Sequence, residues 1–174
     1  EEGYESYIIN DENSKKLSES FFLCDYLFIS IPPTKSKNYT SLLKDISKKI
    51  QKNTKVIFIS STSVYPKENH SFDESYEINN NMYLEAENIF LNSSCVVFRC
   101  SGLMGYNRVA GKYFENKTIS NGKAKTNYVH RDDVIRAIIF LVQKEITGLF
   151  NLCAPIHPSK EEIYKKNKEY KINN

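Results

Sequence analysis

The chain has 174 residues, with 40% hydrophobic and 26% charged residues, the composition of an ordinary globular domain rather than a disordered segment. Twenty-four Lys and Arg against 21 Asp and Glu leave a formal charge of +3. That charge is too small and too dispersed to predict a nucleic-acid surface. No run approaches the roughly 18 uncharged apolar residues of a membrane span, and the acidic start Glu-Glu-Gly-Tyr-Glu does not read as a secretion signal. The expectation is a cytoplasmic protein with no nucleic-acid or membrane partner and an oligomeric state the sequence leaves open. Cys24, Cys95, Cys100 and Cys153 are too scattered for a disulfide scaffold. Cys95 and Cys100 are an odd number of residues apart on one strand and point to opposite faces, so no metal site is expected.

In chain order, Tyr26 to Ile31 is a compact apolar run stopped by Pro32-Pro33, which predicts a strand buried on both faces. Leu42, Leu43, Ile46 and Ile50 follow at helical spacing, predicting an amphipathic helix from Tyr39 to Gln51. Lys55 to Ser60 is a second buried strand. Residues 62 to 78 show no period and read as loop. A helix follows around Met82 to Leu91, then a third strand from Cys95 to Arg99. Residues 102 to 122 hold four of the six glycines and read as loop with short elements. Arg131 to Gln143 is helical, with Val134, Ile135, Ile138, Leu141 and Val142 as its apolar face. Gly148 to Leu152 is a last strand. Ser159 with Glu162 has capping-box spacing ahead of a final helix, and the Lys- and Asn-rich tail after Lys165 is expected to fray.

Strands alternating with helices predict a Rossmann-like, doubly wound parallel sheet, whose ligands lie beyond the carboxyl ends of its strands. The strand ends here are Ile31-Pro32-Pro33, Ser60-Ser61-Thr62-Ser63 and Cys100-Ser101-Gly102. The strand, Gly-rich turn and helix that usually open a dinucleotide-binding sheet are not found. Tyr7 to Ile9 suits the third strand of an order 3-2-1-4-5-6, and the expectation is an incomplete domain. On that reading, residues 1–101 are the remaining part of a dinucleotide-binding domain and 102–130 a substrate-binding loop region. Residues 131–174 supply the helix, short strand and C-terminal helix that complete it.

VIFISSTSVYP (Val56 to Pro66) resembles the strand-five signature of extended and atypical short-chain dehydrogenase/reductases, the NAD-dependent epimerase/dehydratase family. FISIPP (Phe28 to Pro33) is similar to the end of their strand four. VVFRCSGLMGYNR (Val96 to Arg108) resembles strand six with its substrate loop, and NYVHRDDVIRAI (Asn127 to Ile138) their F-I-H-x-x-D-V-A-x-A segment. The resemblance implies NAD or NADP as cofactor, lined by Ile31, Pro32, Pro33, Ser60, Cys100, Ser101, Gly102 and Leu103. It implies Ser61 as the catalytic hydroxyl, and Thr62, Tyr106, Arg108, Tyr113 and His130 on the substrate side. His130 also matches a position that ties the loop to the following helix.

One part of the pattern departs. The family's Tyr-x-x-x-Lys lets an ammonium lower the tyrosine pKa from about 10. Here one register gives Tyr83-Leu-Glu-Ala-Glu87, with a carboxylate in place of the ammonium. The other pairs Asn79 with the tyrosine and Tyr83 with the lysine. Both lose the lysine, so Tyr83 is a candidate catalytic residue, with Tyr65, Tyr106, Tyr113 and His130 as alternative proton carriers. The resemblance thus predicts an oxidoreductase or epimerase acting on a sugar-like carbonyl substrate. The alternative is a non-catalytic NAD(P)-binding sensor or scaffold.

Overall fold

A computed structural model describes residues 18–68, 70–91, 94–114, 118 and 120–172. The expected Tyr7 to Ile9 strand lies outside them. The chain falls into two compact units. The first holds Glu1–Ser60, Val64–Phe98 and Thr147–Phe150, and the second Ser61–Ser63, Arg99–Ile146 and Asn151–Asn174. Strands β1 (Tyr26–Ile29), β2 (Lys55–Ser61), β3 (Cys95–Cys100) and β6 (Gly148–Leu152) form one sheet in the order β1-β2-β3-β6. β1 and β2 run parallel, with Tyr26 beside Lys55 and Ile29 beside Phe58. The α/β architecture and parallel sheet agree with the sequence.

In the first unit, helices α1 (Tyr39–Ser47) and α2 (Met82–Phe90) pack on one face of the sheet. Leu42, Leu43 and Ile46 of α1 and Ala86 and Phe90 of α2 bury themselves against Ile29, Val56, Phe58, Cys95 and Val97. The alternation of a strand explains which residues these are. Val56 and Phe58 share a face, while Ile57 between them, 1% exposed, turns the other way. β3 is buried throughout, so a continuous apolar strand is right for it. Its Phe98 meets Phe150 of β6, ring centroids 6.1 Å apart.

Two local expectations are corrected here, while the described residues of 65 to 78 are loop as expected. β1 is not buried on both faces: Leu27 and Ile29 meet the core, but Phe28 is 55% exposed. Among the described residues its partner in the sheet is β2 alone, and a strand with one neighbour has less to cover it. α1 ends at Ser47 rather than Gln51, because its last turn tightens. The Lys49 N–H donates to the Ile46 carbonyl and the Ile50 N–H to that of Ser47, three residues back, which still brings Ile50 onto the core. Residues 65 to 76 are organised by an aromatic cluster: Tyr65 stacks on Phe72 at 5.1 Å, Phe72 meets Tyr76 edge-on at 4.7 Å, and the Tyr65 hydroxyl donates to the Asp73 carbonyl.

The second unit contains a two-stranded parallel sheet, β4 (Gly102–Met104) with β5 (Tyr128–His130), in which Met104 faces His130. β5 runs directly into α3 (Arg131–Gln143), and His130 caps that helix, its Nδ1 accepting the Asp132 N–H at 3.3 Å. The apolar face of α3 is narrower than predicted. Val134 and Leu141, two turns apart, are buried, while Ile135, about 100° round the helix, is 50% exposed. The capping box forms: the Ser159 N–H donates to Glu162 and the Glu162 N–H to Ser159 Oγ. α4 then runs from Lys160 to Ile172, so the tail continues the helix instead of fraying at Lys165.

Burial also sets an alkaline limit. The thiols of Cys95 and Cys100, 0% and 3% exposed, are pushed from 9.0 to about 12 by loss of solvation. Burial likewise raises the Tyr39 phenol from 10.0 to about 12, with a further push from Tyr83. In the unfolded chain these groups release protons from their ordinary values upward, whereas the folded chain keeps them bound to about 12. Stability is therefore fully present below about pH 9 and falls as pH rises towards 12. Urea midpoints at about pH 8 and about pH 10.5 check this, and equal midpoints would contradict it.

Candidate functional site

Ser61 is the last residue of β2, and the chain turns sharply into the 3-10 segment Thr62–Val64. Its Oγ accepts the Ser63 N–H and donates to Ser63 Oγ, both at 3.1 Å. The hydroxyl therefore shapes the turn, a role open to any serine after a strand. It stays only partly buried, and Thr62 beside it is also partly accessible. In the same unit, Cys100 and Ser101 are buried and lead into Gly102 and Leu103 of β4. Ser101 donates its N–H to the Leu152 carbonyl at 3.0 Å. Its side-chain Oγ, buried in a residue 4% exposed, has no hydrogen-bond partner among the described residues. An orphaned buried hydroxyl at a strand end is a position that a polar ligand atom would satisfy.

The Gly-rich segment after β4 closes on itself. The Gly105 N–H donates to the Arg108 carbonyl and the Arg108 N–H to the Gly105 carbonyl, at 3.0 and 2.9 Å, with Tyr106 and Asn107 at the tip. Gly105 has φ 143°, and a Cβ there would stand 3.0 Å from Arg131 Cγ, so both its conformation and its neighbour require glycine. Tyr106 has φ 47° and is 66% exposed. Its ring lies beneath the Arg131 guanidinium, 3.3 Å from Cζ to centroid, and 6.5 Å from the His130 ring. Tyr106 and His130 are thus brought together, with Arg108 on the other arm of the hairpin. Arg131 joins them. It was missed in the sequence, although its place beside His130 at the start of a helix was visible. Tyr113 falls in the 3-10 segment Ala110–Phe114; its side chain lies outside the described part.

In the first unit, Ile31 packs against the core and Pro32 and Pro33 lead into the 3-10 turn Pro33–Lys35. Ser60 is partly buried, and its hydroxyl donates to Glu87 Oε1 at 2.6 Å. Glu87 is 1% exposed, so its position on α2 faces the interior. Tyr83 is partly buried in the first turn of α2, its N–H donated to the side chain of the cap residue Asn81. Asn79 precedes the helix, and its carbonyl accepts from Asn81 Nδ2. Tyr65 is buried with its hydroxyl given to Asp73, which removes it from the possible proton carriers. Arg99 is buried within β3. Among the described residues, no three His, Cys, Asp or Glu side chains gather where they could hold a metal ion, and no helix is long and apolar enough to cross a membrane.

The fold is that of the NAD-dependent epimerases and dehydratases. A UDP-N-acetylglucosamine 4-epimerase from Bacillus cereus superposes with a TM-score of 0.70 at 15% identity, over 97% of this chain and 71% of that one. A UDP-glucuronic acid 4-epimerase from Bacillus cereus, solved in complex with NAD, matches with a TM-score of 0.70 at 16% identity, over 92% and 65%. The NAD-dependent NDP-hexosamine 5,6-dehydratase TunA matches with a TM-score of 0.72 at 10% identity, again over 92% and 65%. No family model matches the chain. By sequence it is 35% identical over 119 residues to Protein YeeZ of Escherichia coli (strain K12), which covers 63% of this chain and 43% of that protein. The same figures hold for Protein YeeZ of Escherichia coli O157:H7, so the chain spans less than half the length of the curated relatives it matches.

Proposed function

We propose that the chain binds NAD or NADP and belongs to a cytoplasmic oxidoreductase or epimerase of the atypical short-chain dehydrogenase/reductase kind, acting on a sugar- or nucleotide-linked carbonyl compound. The observation that carries the reading is the buried Ser101 hydroxyl just past the end of β3, without a hydrogen-bond partner among the described residues, in a fold whose ligands lie beyond its strand ends. Ile31 to Pro33, Ser60 and Cys100 to Leu103 would hold the cofactor, which when bound supplies the hydride acceptor or donor. Ser61 would polarise the substrate oxygen by hydrogen bonding. Thr62, Tyr106, Arg108, Tyr113 and His130 would meet the rest of the substrate.

A second reading, a non-catalytic NAD(P)-binding sensor, is favoured by α2. Position 87 holds a buried glutamate where one register requires an ammonium, and the phenol near Tyr83 is Tyr39, itself held protonated to about 12. The first experiment is calorimetric titration of the intact protein with NADH and NADPH. Saturable binding on the order of micromolar is expected for one of them. Failure of both to bind a folded protein would overturn both readings.

A further inference from the structure

Asn121 is the only asparagine in the chain that is followed by glycine. It is exposed and sits at φ 54°, in the left-handed region that asparagine tolerates better than most side chains. Its carbonyl accepts the Ala124 N–H at 3.0 Å, which closes the turn Asn121-Gly122-Lys123-Ala124. An asparagine Cγ lies within ring-closing reach of the next backbone nitrogen. Burial of the amide and a side chain on the following residue both hinder that closure. Neither applies at Asn121, since its side chain meets solvent and Gly122 carries no Cβ.

The same turn fastens a helix. The first N–H groups of an α-helix have no partner within it. At the start of α4, the Lys160 N–H donates to the Ala124 carbonyl at 3.0 Å and the Glu161 N–H to the Gly122 carbonyl at 2.9 Å. Lys125 reaches Glu162 at 3.8 Å, and Thr126 gives both its N–H and its hydroxyl to the Pro158 carbonyl. The beginning of α4 thus hangs on the main chain that leaves the Asn121 turn. Further along the helix, Asn167 packs on Gly111 closely enough to leave no room for a Cβ. Through that contact α4 also steadies the 3-10 segment Ala110–Phe114.

We propose that Asn121 is a self-modifying site whose conversion to isoaspartate unfastens the start of α4. The Gly122 backbone nitrogen attacks Asn121 Cγ. The bond from Cγ to the side-chain nitrogen breaks, and ammonia leaves with the proton that the Gly122 nitrogen gives up. Water then opens the resulting succinimide. Attack of water on the backbone carbonyl carbon leaves an α-carboxylate and a main chain that runs through the side chain, longer by a methylene. That insertion removes the acceptor of the Ala124 N–H and displaces the Gly122 and Ala124 carbonyls from α4. Ageing the intact protein in warm, mildly alkaline buffer tests the proposal. Peptide mapping by mass spectrometry with isoaspartyl methyltransferase labelling measures the conversion, and hydrogen exchange follows the Lys160 and Glu161 amides. Isoaspartate is expected to accumulate at Asn121 ahead of Asn127, which is also exposed but precedes Tyr128. Protection of the two amides should fall in step with it. Gly122→Ala should slow the conversion several-fold without disturbing the fold, because the added Cβ stands 3.4 Å from Glu161 Cβ, in ordinary contact. Asn121→Gly suits φ 54° and has no amide to lose, so it should keep its protection throughout ageing. Absence of isoaspartate at Asn121 in the aged wild-type protein would overturn the proposal. Conversion there with undiminished protection at Lys160 and Glu161 would overturn it as well.

Discussion

Glu87→Lys is expected to destabilise the protein by about 3–5 kcal/mol and to confer no turnover. The substitution writes Tyr-x-x-x-Lys into the sequence from Tyr83, and by pattern alone it would look like a repair. The physical surroundings say otherwise. Glu87 is 1% exposed on a helix whose neighbouring Ala86 and Phe90 are equally buried, and its Oε1 accepts the Ser60 hydroxyl at 2.6 Å. A lysine there would bury an ammonium that cannot accept that hydrogen bond, leaving Ser60 without its partner. Set against a typical total stability of about 5–15 kcal/mol, the loss is large. Urea unfolding followed by circular dichroism measures it. A variant with the wild-type midpoint and new carbonyl reduction would establish the register that places Tyr83 at the family's tyrosine.

Ser61→Ala is expected to lower kcat/KM for a carbonyl substrate by about 10²–10³-fold while leaving NADH affinity unchanged. Removing Oγ also deletes the acceptor of the Ser63 N–H and one hydroxyl contact, at a cost of about 1 kcal/mol in a partly exposed turn. The two effects separate by measurement, since steady-state kinetics report the first and thermal unfolding the second. Unchanged turnover with a lowered melting temperature would confine Ser61 to its turn and assign proton chemistry to another group. Absence of turnover in wild-type protein that binds NADH tightly would favour the sensor.

Much of the fold was legible because burial leaves a periodic trace. β2, β3, α2 and α3 stand within a residue or so of their predicted bounds. β6 and the Ser159–Glu162 box are where the apolar run and the spacing put them. The errors cluster where a neighbour, rather than the local pattern, decides exposure. Tyr26 to Ile29 carries the residues of a fully buried strand, yet only its Leu27 and Ile29 face is covered. Residues 62 to 78 have no period because rings in contact across several residues, not a repeating hydrogen bond, hold them.

The candidate site was legible in part. Ser60, Ser61, Ser101, Tyr106 and His130 were visible as strand-end or loop residues of the right chemistry. What each hydroxyl does was not. The sequence pairs Ser60 and Ser61 as neighbours, whereas the fold gives one to buried Glu87 and the other to its own turn and leaves the Ser101 hydroxyl without a partner among the described residues. Arg131 shows the same limit, since a stack on a tyrosine 25 positions earlier requires Gly105 to hold φ 143° and β4 to pair with β5.

By itself, then, the sequence determined the order of strands and helices, because apolar spacing along a chain is a local property that backbone geometry converts directly into elements. Only the tertiary structure decided which faces are covered, which carboxylate meets Ser60 and which cation lies over Tyr106. Those contacts join residues far apart in the chain, and their energies depend on distance and burial that no spacing encodes.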